Sequence, residues 1–207
     1  KILSIGLGGH HVPPEARVIR DIAFSGNGEP TGSKDFDEIV GRVIAVRDAA
    51  GLAGVPIRLI TNGSLIDRPY VQAALRHLAQ AGGEVWFKFD AGTAADIARI
   101  NGIDVDPQTH ARRLALCASL CPTWVQTCVF RWDGVLPSRE QVDAYLDMLE
   151  MAGIAALKGV LLYGVARPSM QPEAAHLRQL TPDELEDIAR QIRQRGASQG
   201  LDVSVSP

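Results

Sequence analysis

The residue types able to hold a small charged molecule gather in five short runs, each placed just after an apolar stretch. The first is Ser25-Gly26-Asn27-Gly28-Glu29-Pro30-Thr31. Its two glycines let backbone groups approach a ligand, Glu29 offers a carboxylate to an ammonium, and Pro30 fixes the exit of the turn. The second, Thr61-Asn62-Gly63-Ser64, adds amide and hydroxyl groups, and the third, Asp90-Ala91-Gly92-Thr93, adds a carboxylate. The last two bring Arg131 with Asp133, and Tyr163 with Arg167 and Pro168. Any one of these runs is ordinary turn chemistry. Five in succession point to one ligand site, with Gly26, Asn27, Gly28, Glu29, Asn62, Ser64, Asp90, Arg131, Tyr163 and Arg167 as its candidate residues.

Other reactive side chains read differently. Cys117, Cys121 and Cys128 are spaced C-x3-C-x6-C, with the first two on or at the end of a helix and the third in a β-rich run. That is not one shared ligand loop, so the three are expected to be packing residues and no metal site is expected. Gly8-Gly9-His10-His11 reads as a loop rather than a metal site, and His77 and His110 as solvent-facing helix residues. Lys88, and less so Lys158, raise a rival chemistry. Alternation along Val85-Trp86-Phe87-Lys88-Phe89 would aim Lys88 into a barrel, where a buried lysine can form a Schiff base. Three function classes therefore stand at this point: an enzyme using a bound cofactor, a lysine aldolase, and a barrel that binds a ligand without chemistry.

The elements that must position the five runs alternate along the chain. Strands are expected at residues 18–25, 56–61, 84–90, 123–131, 156–163 and 202–206. Helices are expected around Phe36 to Val46 and at residues 68–80, 93–100, 107–120, 138–151 and 181–195. Asp106 with Pro107, Ser138 with Gln141, and Thr181 with Pro182 carry the start signals of three of these helices. About six strands alternating with helices is the signature of an α/β fold with a parallel sheet, here a partial (β/α) barrel. Right-handed crossovers then place every strand's C-terminus, and so every run, on one edge.

Composition narrows the class further. The 207 residues suffice for one domain, and 46% hydrophobic with 22% charged residues is ordinary for a globular protein. A net charge of −3 without a clustered basic face gives no strong nucleic-acid signal. No apolar run is long enough for a membrane span. The odd count of 3 cysteines leaves no complete disulfide framework, so the cytoplasm is the expected compartment.

A strand ending in Ser-Gly-x-Gly-Glu-Pro-Thr, followed by one ending in Thr-Asn-Gly, resembles the core of the radical S-adenosylmethionine (SAM) superfamily. Asn27-Gly28-Glu29 corresponds to its GGE motif, with Asn in place of the first Gly. Residues 17–31, 57–65, 86–93 and 159–169 resemble the branch that holds the wyosine-forming synthases and similar Fe–S oxidoreductases. The resemblance implies a TIM-like barrel, SAM and a [4Fe–4S] cluster, and a reductant protein of flavodoxin or ferredoxin type. Such enzymes cleave SAM reductively to a 5′-deoxyadenosyl radical that abstracts hydrogen from a substrate. It also implies that backbone around Asn27 to Glu29, with the Glu29 side chain, binds the methionine amino group. Asn62 and Ser64 would face the ribose or carboxylate, with Asp90 nearby. Arg131 would help hold the charged ends, and residues 159–163 with the turn to Arg167 would wall the adenine.

One departure bears on activity. The family's C-x3-C-x2-C precedes the GGE motif, and no cysteine precedes Cys117 here. The expectation is therefore a single barrel domain spanning residues 1–207, an N-terminally truncated piece that binds no cluster by itself. Its first β/α unit would be absent or reduced around Ile2 to His11.

Overall fold

The computed structural model describes residues 18–26, 28–165 and 172–206. Six parallel strands form one sheet in the order β1-β2-β3-β4-β6-β8. They are β1 (Ile22–Phe24), β2 (Ile57–Thr61), β3 (Glu84–Lys88), β4 (Thr123–Cys128), β6 (Gly159–Tyr163) and β8 (Asp202–Ser206). The connecting helices are α1 (Phe36–Ala49), α2 (Pro69–Gln80), α3 (Ala94–Asn101), α4 (Pro107–Leu120), α5 (Arg139–Ala152) and α6 (Pro182–Gly196). Because the strand order never reverses, right-handed crossovers put every helix on the same face. That winding is a barrel's, and the α/β partial-barrel expectation holds.

Alternation divides the sheet into two faces. Ile57, Leu59, Val85, Phe87, Val125, Val160, Leu162 and Val203 are buried beneath the helices and join Leu75, Leu114, Leu146, Leu149 and Ile192 in one core. Along β2 and β4 the alternate residues, among them Arg58, Ile60, Trp124 and Gln126, are only part-buried and form the inner face. The helix starts agree with their sequence signals. Asp106 accepts from Thr109 N, and both Ser138 with Gln141 and Thr181 with Glu184 form full capping boxes.

The largest differences from the sequence reading fall on three strands, while β3 ends at Lys88 rather than 90 and most other bounds shift by no more than one residue. β1 is shorter than residues 18–25, since polar Arg20 and Asp21 precede it and the Ser25-Gly26 turn follows. The run 123–131 is not one strand: β4 ends at Cys128, and β5 (Arg131–Trp132) pairs antiparallel with β7 (Leu177–Arg178) in a separate ribbon. β6 starts at Gly159 rather than 156, after a short 3-10 turn at Ile154–Ala156. The region around Ile2 to His11 lies outside the described residues.

Candidate functional site at the C-terminal edge

Glu29 organises the first part of the edge. It caps the 3-10 turn Pro30–Gly32, taking a hydrogen bond from Thr31 N at 3.2 Å. The same Oε1 accepts from Thr31 Oγ1 at 2.7 Å and from Thr61 Oγ1 at 2.6 Å. Its Oε2 accepts from Asn62 N at 2.8 Å. The carboxylate thus ties the turn after β1 to the turn after β2. Thr61 is buried, and its Oγ1 also accepts from Gly63 N at 3.0 Å. Asn62 Oδ1 closes its own turn by accepting from Ser64 N at 2.9 Å. Among the described residues, the Asn62 Nδ2 and Ser64 Oγ groups have no hydrogen-bond partner, and Glu29 Oε2 has only one.

Backbone conformation explains the glycines here. Gly26 and Gly28 have φ of 147° and 128°, and a Cβ on either would meet nothing within 4 Å. Their constraint is conformational, with open space in front of them. Gly63 is the opposite case: at φ 72°, a Cβ would lie 2.1 Å from Phe87 Cζ.

The second part of the edge lies across β3, β4 and β6. Asp90 Oδ1 accepts from Cys128 N at 2.8 Å, and Oδ2 accepts from Asn101 Nδ2 at 3.0 Å. Burial raises the Asp90 pKa, partly opposed by those hydrogen bonds. Cys128 pairs in register with Tyr163. Burial, with the nearby Asp90 charge, pushes the Cys128 thiol up to about 12 and raises Tyr163 as well. Thiol and phenol are therefore both held in their neutral forms at neutral pH. On the inner face, Gln126 lies between Lys88 and Leu161 in register, and its Oε1 is buried without a partner among the described residues. Such an orphaned acceptor is satisfied by water or a ligand.

Of the residues expected at the site, Gly26, Gly28, Glu29, Asn62, Ser64, Asp90 and Tyr163 do share one edge. Asn27 and Arg167 lie outside the described residues. Arg131 pairs with Glu184 and donates to Gly134 O at 2.8 Å. Lys88 is exposed, so it lacks the burial a Schiff-base lysine needs. His110 does not face solvent as expected: it stacks on Phe89 at 4.7 Å and its Nε2 lies 3.1 Å from Lys88 O. Burial lowers its pKa. His77 is half exposed and meets Asp37 at 2.7 Å.

Cys117 and Cys121 are buried, with thiols pushed by burial to about 12. Among the described residues, no three His, Cys, Asp or Glu side chains are grouped to hold a metal ion. A [4Fe–4S] cluster therefore does not fit the residues described. Sequence reasoning missed the bracing roles of Thr31 and Thr61 and the placing of Cys128 against Asp90. A threonine immediately after the Glu-Pro pair was the available signal for the first; nothing local signals the last.

No family model matches the chain. No curated protein matches it either. Solved structures do. SuiB of Streptococcus suis bound to the precursor peptide SuiA is 11% identical with a TM-score of 0.66, over 93% of this chain and 39% of SuiB. SuiB bound to S-adenosylmethionine gives 12% and 0.60, over 87% of this chain and 38% of that one. A radical SAM methyltransferase from Sphaerobacter thermophilus gives 16% and 0.60, over 93% of this chain and 52% of that one. The chain thus spans well under two thirds of the length of each. Its fold is one found among radical SAM enzymes.

Proposed function

We propose that the chain forms the SAM-binding barrel of a radical SAM enzyme, in the branch that resembles the wyosine-forming synthases. The observation that carries this is the Glu29 brace. It fixes two neighbouring strand ends while leaving Glu29 Oε2, Asn62 Nδ2 and Ser64 Oγ turned to further bonding, beside two glycines with open space in front of them. Those groups suit a zwitterionic amino-acid end, with acceptors for the ammonium and donors for the carboxylate. The orphaned Gln126 Oε1 on the inner face is a further acceptor for a bound molecule. The solved structure of a protein of this fold with SAM supports the reading.

When bound, SAM supplies hydrogen-abstraction chemistry. The chain's own part is to hold and orient it. Glu29 Oε2 receives the ammonium, Asn62 and Ser64 orient the carboxylate or ribose, and Tyr163 with Cys128 forms a neutral wall that draws off no charge. The enzyme would work with a flavodoxin- or ferredoxin-type reductant and in the cytoplasm. No helix among the described residues is long and apolar enough to cross a membrane.

Titration calorimetry with SAM tests the reading. Charge-assisted hydrogen bonds contribute about 1.5–3 kcal/mol each, set against association costs of at least about 4 kcal/mol. Dissociation constants of roughly high-micromolar to millimolar follow for this chain without a cluster. Reconstitution of this chain with iron and sulfide should give no iron–sulfur absorbance. Protein expressed from the full reading frame should turn brown and cleave SAM on reduction. A full-frame protein that binds neither cluster nor SAM would end the proposal.

A further inference from the structure

A pocket of about 120 Å³ opens beside Asp90 and Cys128, between the end of the sheet, helices α3, α5 and α6, and the β5–β7 ribbon. Its walls are mainly Ile100, Phe130, Val142, Leu162, Ile188 and Ile192, and Trp132 lies at its ribbon side. The polar groups that reach it each hold at least one bond to protein, Arg99 only through its pairing with Asp96. Asp90 holds Cys128 N and Asn101, as above. Asp96 accepts from Thr93 Oγ1 at 2.7 Å, Arg99 at 2.8 Å and Gln141 at 2.5 Å. Thr127 Oγ1 donates to Phe89 O at 3.0 Å and pairs with Tyr145 Oη at 2.8 Å. Arg99 lies 5.4 Å over the Trp132 ring.

The one guanidinium in its lining, Arg99, is already paired with Asp96, so the pocket offers a charged guest no unpaired counter-charge and a water few free partners. Apolar cavities of roughly 150 Å³ stay dry and take up benzene-sized molecules. We propose that this pocket binds a neutral apolar group of about the size of one six-membered ring. Because it opens beside Asp90 and Cys128, the group is assigned to the substrate of the enzyme. That last assignment rests on the SAM reading, whereas the pocket itself does not.

Benzene is the probe. In a methyl-labelled sample of the whole chain, benzene should shift the methyl resonances of Leu162, Ile188 and Ile192 in a saturable manner. Benzoate, the same ring with a charge, should bind at least tenfold more weakly. Val142→Phe, which fills the pocket from α5, should weaken benzene at least tenfold while leaving SAM titration unchanged. Absence of saturable shifts in the wild-type chain would overturn the pocket whatever the variant does, and equal binding of benzoate would overturn its neutral character. Benzene uptake in a chain that fails to bind SAM would uphold the pocket and remove its assignment to the substrate.

Discussion

Glu29 and Glu84 stand at opposite ends of the same sheet, and both accept several hydrogen bonds. Glu84, at the start of β3, takes Arg58 Nε at 2.8 Å and Trp86 Nε1 at 3.1 Å on one oxygen, and Trp124 Nε1 at 3.1 Å on the other. Arg58 lies 4.8 Å over the Trp86 ring and also pairs with Asp21. This end is closed: two indoles, a guanidinium and two carboxylates satisfy one another and floor the barrel. At the other end, among the described residues, Glu29 binds only the small Thr31, Thr61 and the Asn62 amide, with glycines and unpartnered side-chain groups around it. One glutamate completes a structure and the other leaves one incomplete. In barrels, polar residues at the strand starts serve stability and those at the strand ends serve ligands.

The largest expected effect lies just behind the open end. In Gly63→Ala the new methyl would sit at a left-handed φ and overlap the Phe87 ring. Strain and overpacking together should cost about 3 kcal/mol, measured by urea unfolding. A loss below about 1 kcal/mol would show that Phe87 has room to move. Glu84→Ala comes next. It leaves two part-buried indole N–H groups and Arg58 short of an acceptor, a loss of about 2–3 kcal/mol. SAM affinity should be unchanged where the variant is folded, so a matching loss of SAM binding would erase the contrast between the two ends. Glu29→Gln should cost less stability, about 1–2 kcal/mol, because its network is more open to water.

The smallest effect is one of pH. The folded His110 pKa lies below its ordinary 6.5, so on acidification the unfolded chain takes the proton first. Its contribution is present above that value and lost as the pH falls below it. Asp90 has the opposite sign: its folded pKa is raised above 3.8, so its contribution is lost as the pH rises through that range. His110→Phe should flatten the stability profile near pH 6, and Asp90→Asn should flatten it above pH 4. A slope near pH 6 that survives His110→Phe would assign it to another group.

What was legible in the sequence is what local pattern encodes. Apolar runs, capping boxes and glycine turns gave the alternating elements, and parallel winding then put Glu29, Asn62 and Asp90 on one edge. What depends on distant partners left no local mark. Nothing in Arg131-Trp132 announces that it will leave the sheet and pair with Leu177-Arg178. Nothing around Glu84 announces that Trp124, on the next strand, will donate to it. His110 reads as an exposed helix residue until Phe87 and Phe89 are placed beneath it. The commitment of Arg131 to Glu184 is of the same kind, a contact 53 residues apart in the chain.

On the proposed reading, the end organised by Glu29 holds SAM and the end organised by Glu84 does not. Parallel calorimetric titrations of SAM into the wild-type chain, Glu29→Gln and Glu84→Ala test it most directly. Weak, saturable binding to wild type is expected, with a loss of at least tenfold in Glu29→Gln and wild-type affinity in folded Glu84→Ala. Undiminished SAM binding by Glu29→Gln would contradict it.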